Sequence, residues 1–116
     1  MDTTVRITAV PRPGGRVLLR CLGEIDSAAA PELTRELQRW VDGSCCVVLD
    51  LCGVTYLDAS GLTALLVGLR HAEQVGGRLR LGRGVSRQVR RVLAASGVQT
   101  LFDDADAANP CAHGSR

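Results

Sequence analysis

Residues 45–61 read Cys45-Cys46-Val47-Val48-Leu49-Asp50-Leu51, then Cys52-Gly53-Val54-Thr55-Tyr56-Leu57, then Asp58-Ala59-Ser60-Gly61. The first block is almost continuously apolar and rich in β-branched residues, which predicts a central strand covered on both faces. The second predicts a loop. The third opens a helix, because Leu62, Leu65, Leu66 and Leu69 then recur at helical spacing until Gly76-Gly77 stops it. A buried strand that passes through a loop into a helix is the building unit of a parallel α/β sheet, and it frames the rest of the chain.

Upstream, Val5 to Val10 alternates and predicts a strand, Pro11 to Gly15 a turn, and Arg16 to Leu22 a second strand, giving an antiparallel hairpin. Gly23-Glu24-Ile25-Asp26-Ser27 then leaves the sheet. Asp26 or Ser27 is placed to cap a helix whose apolar face is Leu33, Leu37, Trp40 and Val41, ended by Asp42-Gly43-Ser44. Downstream, Arg78-Leu79-Arg80-Leu81 alternates as a strand with one wet face. Val85, Val89, Val92 and Leu93 mark a third helix, started by Ser86 and stopped by Gly97, and Val98 to Phe102 predict a short last strand. The order β-β-α-β-α-β-α-β predicts a small, mixed, mostly parallel sheet of about five strands with right-handed crossovers. Residues 103–116, with Pro110, are expected to form a short and partly mobile C-terminal tail.

Composition narrows the function. At 116 residues the chain has the size of one domain with its own core. No apolar run approaches the ~20 residues a bilayer needs, so no membrane insertion is expected, and the N-terminus lacks the pattern of a secretory signal, so a cytoplasmic location is expected. The net charge is +2 and aromatic residues are 3% (Trp40, Tyr56, Phe102), which argues against direct nucleic-acid binding. All fourteen basic residues are arginine. Chemistry that requires a lysine, such as the Walker-A phosphate contact or a Schiff base, is therefore excluded. The cysteines Cys21, Cys45, Cys46, Cys52 and Cys111 are odd in number and contain no C-x-x-C pair, so they read as reduced, small apolar residues rather than metal or redox ligands.

In open α/β sheets, function collects at the carboxyl ends of parallel strands. Two polar segments emerge there, Gly23-Glu24-Ile25-Asp26 and Tyr56-Leu57-Asp58-Ala59-Ser60-Gly61. If the two strands are neighbours, Glu24, Asp26, Asp58 and Ser60 share one surface. Ser60 has no base: the histidines are His71, on the following helix, and His113 in the tail, and there is no G-x-S-x-G elbow. No enzyme activity, metal or cofactor is expected. A helix N-terminus does accommodate a phosphate, and a phosphoserine at Ser60 would add about −1.5 to −2 charge beside three carboxylates. Such a surface works as a docking site with a charge switch. Arg83, Arg87, Arg90 and Arg91 form a basic cluster around the third helix, read as a solvated face. His71 reads as a surface residue and Trp40 as packing.

Taken in order, Gly23-Glu24-Ile25-Asp26 with Ala30 and Leu33, Val48-Leu49-Asp50-Leu51, Val54 to Leu62, Gly76-Gly77, and Val92-Leu93-Ala94-Ala95-Ser96-Gly97-Val98 resemble the STAS-domain family over about residues 5–102. In size and pattern the chain is similar to bacterial anti-sigma factor antagonists. The resemblance implies helices packed mainly on one face of the sheet. It also implies binding to an anti-sigma factor that is also a serine kinase, release of a sigma factor, phosphorylation by that kinase and resetting by a PP2C-type phosphatase. The implied partner-binding residues are Glu24, Asp26, Tyr56, Asp58, Ala59, Ser60, Gly61, Leu62 and Thr63. One position departs from the pattern: the family's acceptor serine directly follows Asp, and here that position is Ala59, which leaves Ser60 as the candidate acceptor. The same loop occurs in STAS adaptors of lipid-transport ABC systems and in stress-sensing assemblies, which is the alternative implied by the resemblance.

Overall fold

The computed structural model describes residues 5–82, 84–98 and 101. Four strands, β1 (Val5–Arg12), β2 (Arg16–Ile25), β3 (Cys46–Leu57) and β4 (Leu79–Leu81), lie side by side in that order. The β1–β2 hairpin is antiparallel, while β2–β3 and β3–β4 are parallel. Three helices alternate with the parallel strands: α1 (Ala30–Gly43), α2 (Ala59–Val75) and α3 (Arg87–Ser96).

One face of the sheet is the core. Val5 of β1, Leu19 and Cys21 of β2, and Val47, Leu49 and Leu51 of β3 are buried in a single cluster with residues of all three helices. The apolar stripe of α1, Leu33, Leu37 and Val41, is wholly inside it, and each such side chain stabilises the fold by about 1.5–3 kcal/mol. On α2 the buried stripe is made mostly of small residues, Gly61, Ala64, Gly68 and Ala72, with Leu65. Small residues let α1 approach closely: a Cβ on Gly68 would lie 2.7 Å from Leu37 Cδ1. Leu62, Leu66 and Leu69 pack on the margin of the core.

The opposite face is open. Arg20, Leu22 and Cys52 are exposed on it, and Arg20 Nε lies 3.4 Å from Asp50 Oδ2 in an ion pair. The expectation that the apolar run 45–51 is covered on both faces is therefore corrected: Val47, Leu49 and Leu51 point to the core, whereas Val48 and Asp50 are only partly covered. Arg80 departs in the other direction, being 3% exposed where a wet face was expected.

Both middle strands run further than their sequence suggests. β2 continues through Gly23-Glu24 to Ile25, with Gly23 at a φ of 112°, a conformation that favours glycine. β3 continues through the expected loop to Leu57. Its register against β2 slips twice, between the pairs Arg20↔Asp50 and Leu22↔Gly53 and again between Gly23↔Val54 and Glu24↔Tyr56. Each slip inserts one extra residue into β3, which is a β-bulge. The Asp50 carboxylate accepts the Cys52 N–H at 2.9 Å beside the first, and Thr55 Oγ1 donates to the Gly23 carbonyl at 3.4 Å beside the second. The expected last strand is corrected as well: Val98 and Leu101 are helical, while Phe102 and the tail 103–116 lie outside the described residues. Among the described residues no helix is long and apolar enough to cross a membrane.

Candidate functional site

Because β2 and β3 are parallel neighbours, their carboxyl ends finish together: Glu24 is the register partner of Tyr56 and Ile25 of Leu57. Asp26 and Asp58 each follow one member of the last pair. The sheet thus brings Glu24, Asp26, Tyr56 and Asp58 to one edge, as the sequence predicts for neighbouring strands.

Asp58 is the N-cap of α2. Its Oδ1 accepts the backbone N–H of Ser60 at 2.9 Å and of Gly61 at 3.2 Å, satisfying two of the helix's four free donors. Its own N–H donates to the Ile25 carbonyl at 3.3 Å, tying the helix start to β2. Gly61 makes that approach feasible. A Cβ there would collide with Leu57 Cδ1 and stand 2.9 Å from Ile25 Cγ2 and 3.0 Å from the Ile25 oxygen.

Asp26 does not cap α1, contrary to expectation. Its Oδ1 accepts from Ala28 and Ala29, both at 3.1 Å, in a turn that precedes the helix. The N-cap of α1 is Ala29, with no side-chain cap, and Pro31 supplies a fixed φ in the first turn.

Among the residues singled out, Glu24, Tyr56, Ala59 and Thr63 are exposed. Tyr56 presents 42% of its surface, a large apolar side chain in the open at the middle of the site. Thr63 Oγ1 donates back to the Ala59 carbonyl at 3.0 Å. Gly61 is buried and Leu62 half-buried, so these two build the surface rather than form it. Ser60 is half-buried. With Ser27, Ala30, Pro31, Thr34 and Thr63 it lines a shallow groove of about 320 Å³ between the starts of α1 and α2. The outward position at the head of α2 is Ala59, which has no hydroxyl.

Gln88 is a site residue that the sequence reading missed. From α3, its Oε1 accepts the Leu57 N–H at 3.0 Å and its Nε2 donates to the Leu57 carbonyl at 3.1 Å. The side-chain amide pairs with the Leu57 backbone as a neighbouring strand would, so α3 holds the residue immediately before the helix cap. A lone Gln among arginines carries no sequence signal of that role.

The cysteines do not converge. Cys21 and Cys46 are buried and Cys45 and Cys52 are exposed; Cys111 lies outside the described residues. Burial, then the nearby Asp50 and Glu36 charges, pushes the Cys21 thiol up to about 12, so it stays neutral inside the core. His71 Nε2 stands 2.6 Å from Asp42 Oδ1, away from the site, while Trp40 packs against the core with its Nε1 donating to Glu36 at 3.0 Å.

The fold is shared with solved structures. An anti-sigma factor antagonist from Mycobacterium paratuberculosis superposes with a TM-score of 0.71 at 23% identity, over 89% of this chain and 92% of that one. The anti-sigma factor antagonist SpoIIAA in its unphosphorylated form gives 0.70 at 22% identity, over 82% and 84%. The Bacillus cell fate determinant SpoIIAA in its phosphorylated form gives 0.65 at 20% identity, over 84% and 87%. At these identities the likeness is one of fold. A family model of the STAS domain matches residues 7–108, nearly the whole chain; the chain belongs to the STAS-domain family.

Proposed function

We propose that this protein is an anti-sigma factor antagonist: it binds an anti-sigma factor that is also a serine kinase and thereby releases a sigma factor, with no catalytic activity or cofactor of its own. The observation that carries this reading is the surface at the head of α2. There an exposed Tyr56, Ala59 and Thr63 stand beside Glu24, Asp26 and Asp58 on a rigid joint between β3 and α2. An apolar centre with a charged margin is the anatomy of a protein docking site. The solved structures of the same fold include anti-sigma factor antagonists, which supports that choice of partner.

Within this reading Ser60 is the hydroxyl a kinase would modify. A phosphate there adds about two negative charges beside Asp58 and wedges into the groove against α1, so the partner lets go. A PP2C-type phosphatase would restore the binding form. Ala59 at the outward position also favours a second reading, a kinase-independent adaptor of the kind found in lipid-transport ABC systems.

The test is affinity capture from the native organism with the tagged chain, beside a Tyr56→Ala/Thr63→Arg variant. Capture of a small ATP-binding serine kinase by the parent chain and not by the variant is expected. Capture of transporter subunits in its place makes the chain an adaptor. The recovered kinase, supplied with ATP, is expected to phosphorylate the parent chain and not Ser60→Ala, as read by intact mass; an unmodified parent chain would make it a permanently binding-competent antagonist.

A further inference from the structure

The arginines of α3 are placed differently from those of α1. On α1, Arg35 and Arg39 alternate with Glu32 and Glu36, and Arg39 pairs with Glu36 at 4.0 Å. Helix α3 reads Arg87-Gln88-Val89-Arg90-Arg91-Val92-Leu93-Ala94-Ala95-Ser96, without an acidic residue. Arg87, Arg90, Arg91 and Ala94 fall at i, i+3, i+4 and i+7, one stripe of the helix, and all four are exposed. Val89 and Leu93, on the far side, are buried. Among the described residues none of the three arginines has an acidic partner; Arg90 Nη2 donates weakly to the Val85 carbonyl at 3.5 Å.

The helix itself does not account for them. The first turns of a helix carry partial positive charge and favour anions, so three cations in the first five positions oppose the dipole and repel one another. The stripe is also fixed in place: Ser86 caps the helix start by accepting the Val89 N–H at 3.3 Å, and Gln88 clamps the helix to Leu57. A preformed row of guanidinium groups beside the end of β3, met by no carboxylate among the described residues, is a receptor for carboxylates, which arginine binds in bidentate geometry.

We propose that the exposed stripe Arg87–Arg90–Arg91 is a docking surface for an acidic polypeptide segment of a partner protein. From Arg87 to Arg91 the helix rises about 6 Å, which an extended segment covers in about two residue steps, so the matching segment carries about three Asp or Glu residues in close succession. Nucleic acid fits this face less well: the stripe is short, and no aromatic residue stands on α3 to stack a base. The inference does not depend on the function proposed above, since it needs only a partner of this chemistry.

The test is fluorescence anisotropy of the full chain with a labelled probe peptide of alternating Asp, Glu, Gly and Ser. Saturable binding at low salt is expected, weakening as salt screens the pairs. Substituting Arg87→Ser, Arg90→Ser and Arg91→Ser together should weaken it about tenfold. Removing the same charge elsewhere, by Arg6→Ser, Arg12→Ser and Arg35→Ser, should leave it within about twofold. Thermal unfolding of the α3 variant should occur no lower than in the parent chain, because the three cations oppose the helix dipole. Equal weakening by the two variants, absence of binding at low salt, or tighter binding of a duplex DNA oligonucleotide than of the peptide would overturn the proposal.

Discussion

Asp26 and Asp58 each follow the last residue of a strand, and those residues, Ile25 and Leu57, are register partners. From this common start the two junctions diverge. After Ile25 the chain folds Asp26 into a turn, and α1 begins only at Ala30, without a side-chain cap. After Leu57, Asp58 caps α2 directly and the helix begins at the next residue. Gly61 explains the difference. It lets the first turn of α2 lie against Ile25 and Leu57, so strand and helix meet with no slack. Position in the sheet and a single Asp do not make a rigid joint; a close backbone approach does. The proposed docking surface sits on the joint without slack, where its side chains keep their geometry before a partner arrives.

Breaking that approach should have the largest effect. Gly61→Val is expected to destabilise the fold by about 3 kcal/mol, since its side chain meets two packed residues and a carbonyl, as read by urea denaturation. Gln88→Ala comes next at about 2 kcal/mol, because it strips both backbone partners from the buried Leu57. The same measurement applies, and equal stability would show that the amide clamp adds nothing to the joint. Asp58→Ala should cost about 1–2 kcal/mol as a lost cap. Asp26→Ala should cost only about 0.5 kcal/mol, since the donors it satisfies lie in a partly exposed turn. The ratio of these last two is the sharpest check: equal losses would mean that the two junctions are held alike.

The hairpin, the three helices and the parallel pairing were legible because each rests on local signals: the Pro-Gly turn, the 3.6-residue stripe of Leu33, Leu37 and Val41, and the Ser86 cap. The carboxyl-edge site was legible for the same reason, since parallel neighbours must finish on one side. What was lost depends on non-local geometry. Between Leu51, Val54 and Leu57 the buried residues are spaced by three, not two, because each bulge adds a residue. Alternation therefore fails where the strand continues, and the segment reads as a loop. The run 45–51 misled in the opposite sense: its hydrophobicity is uniform, yet beyond the buried Cys46 only Val47, Leu49 and Leu51, on one face, are inside. Gln88 was invisible because its partner, Leu57, is 31 residues away and contributes only backbone atoms.

The two bulges also give β3 a phase. Along a regular strand side chains alternate in and out, so the extra residue of a bulge shifts by one the sequence positions that face inward beyond it. The first bulge inverts the phase of β3 and the second restores it, which leaves Leu57 in the core and Tyr56 in the open. Loss of the extra residue at either bulge would leave the pairs beyond it, Glu24↔Tyr56 and Ile25↔Leu57, facing as they do now, on regular alternation. Loss of the extra residue at both would give a regular strand about 7 Å shorter with the same facings. The end of β3 thus behaves like a line of text with two silent letters: its length is adjustable at either bulge, while the facing of Tyr56 and Leu57 is set by their pairing with Glu24 and Ile25.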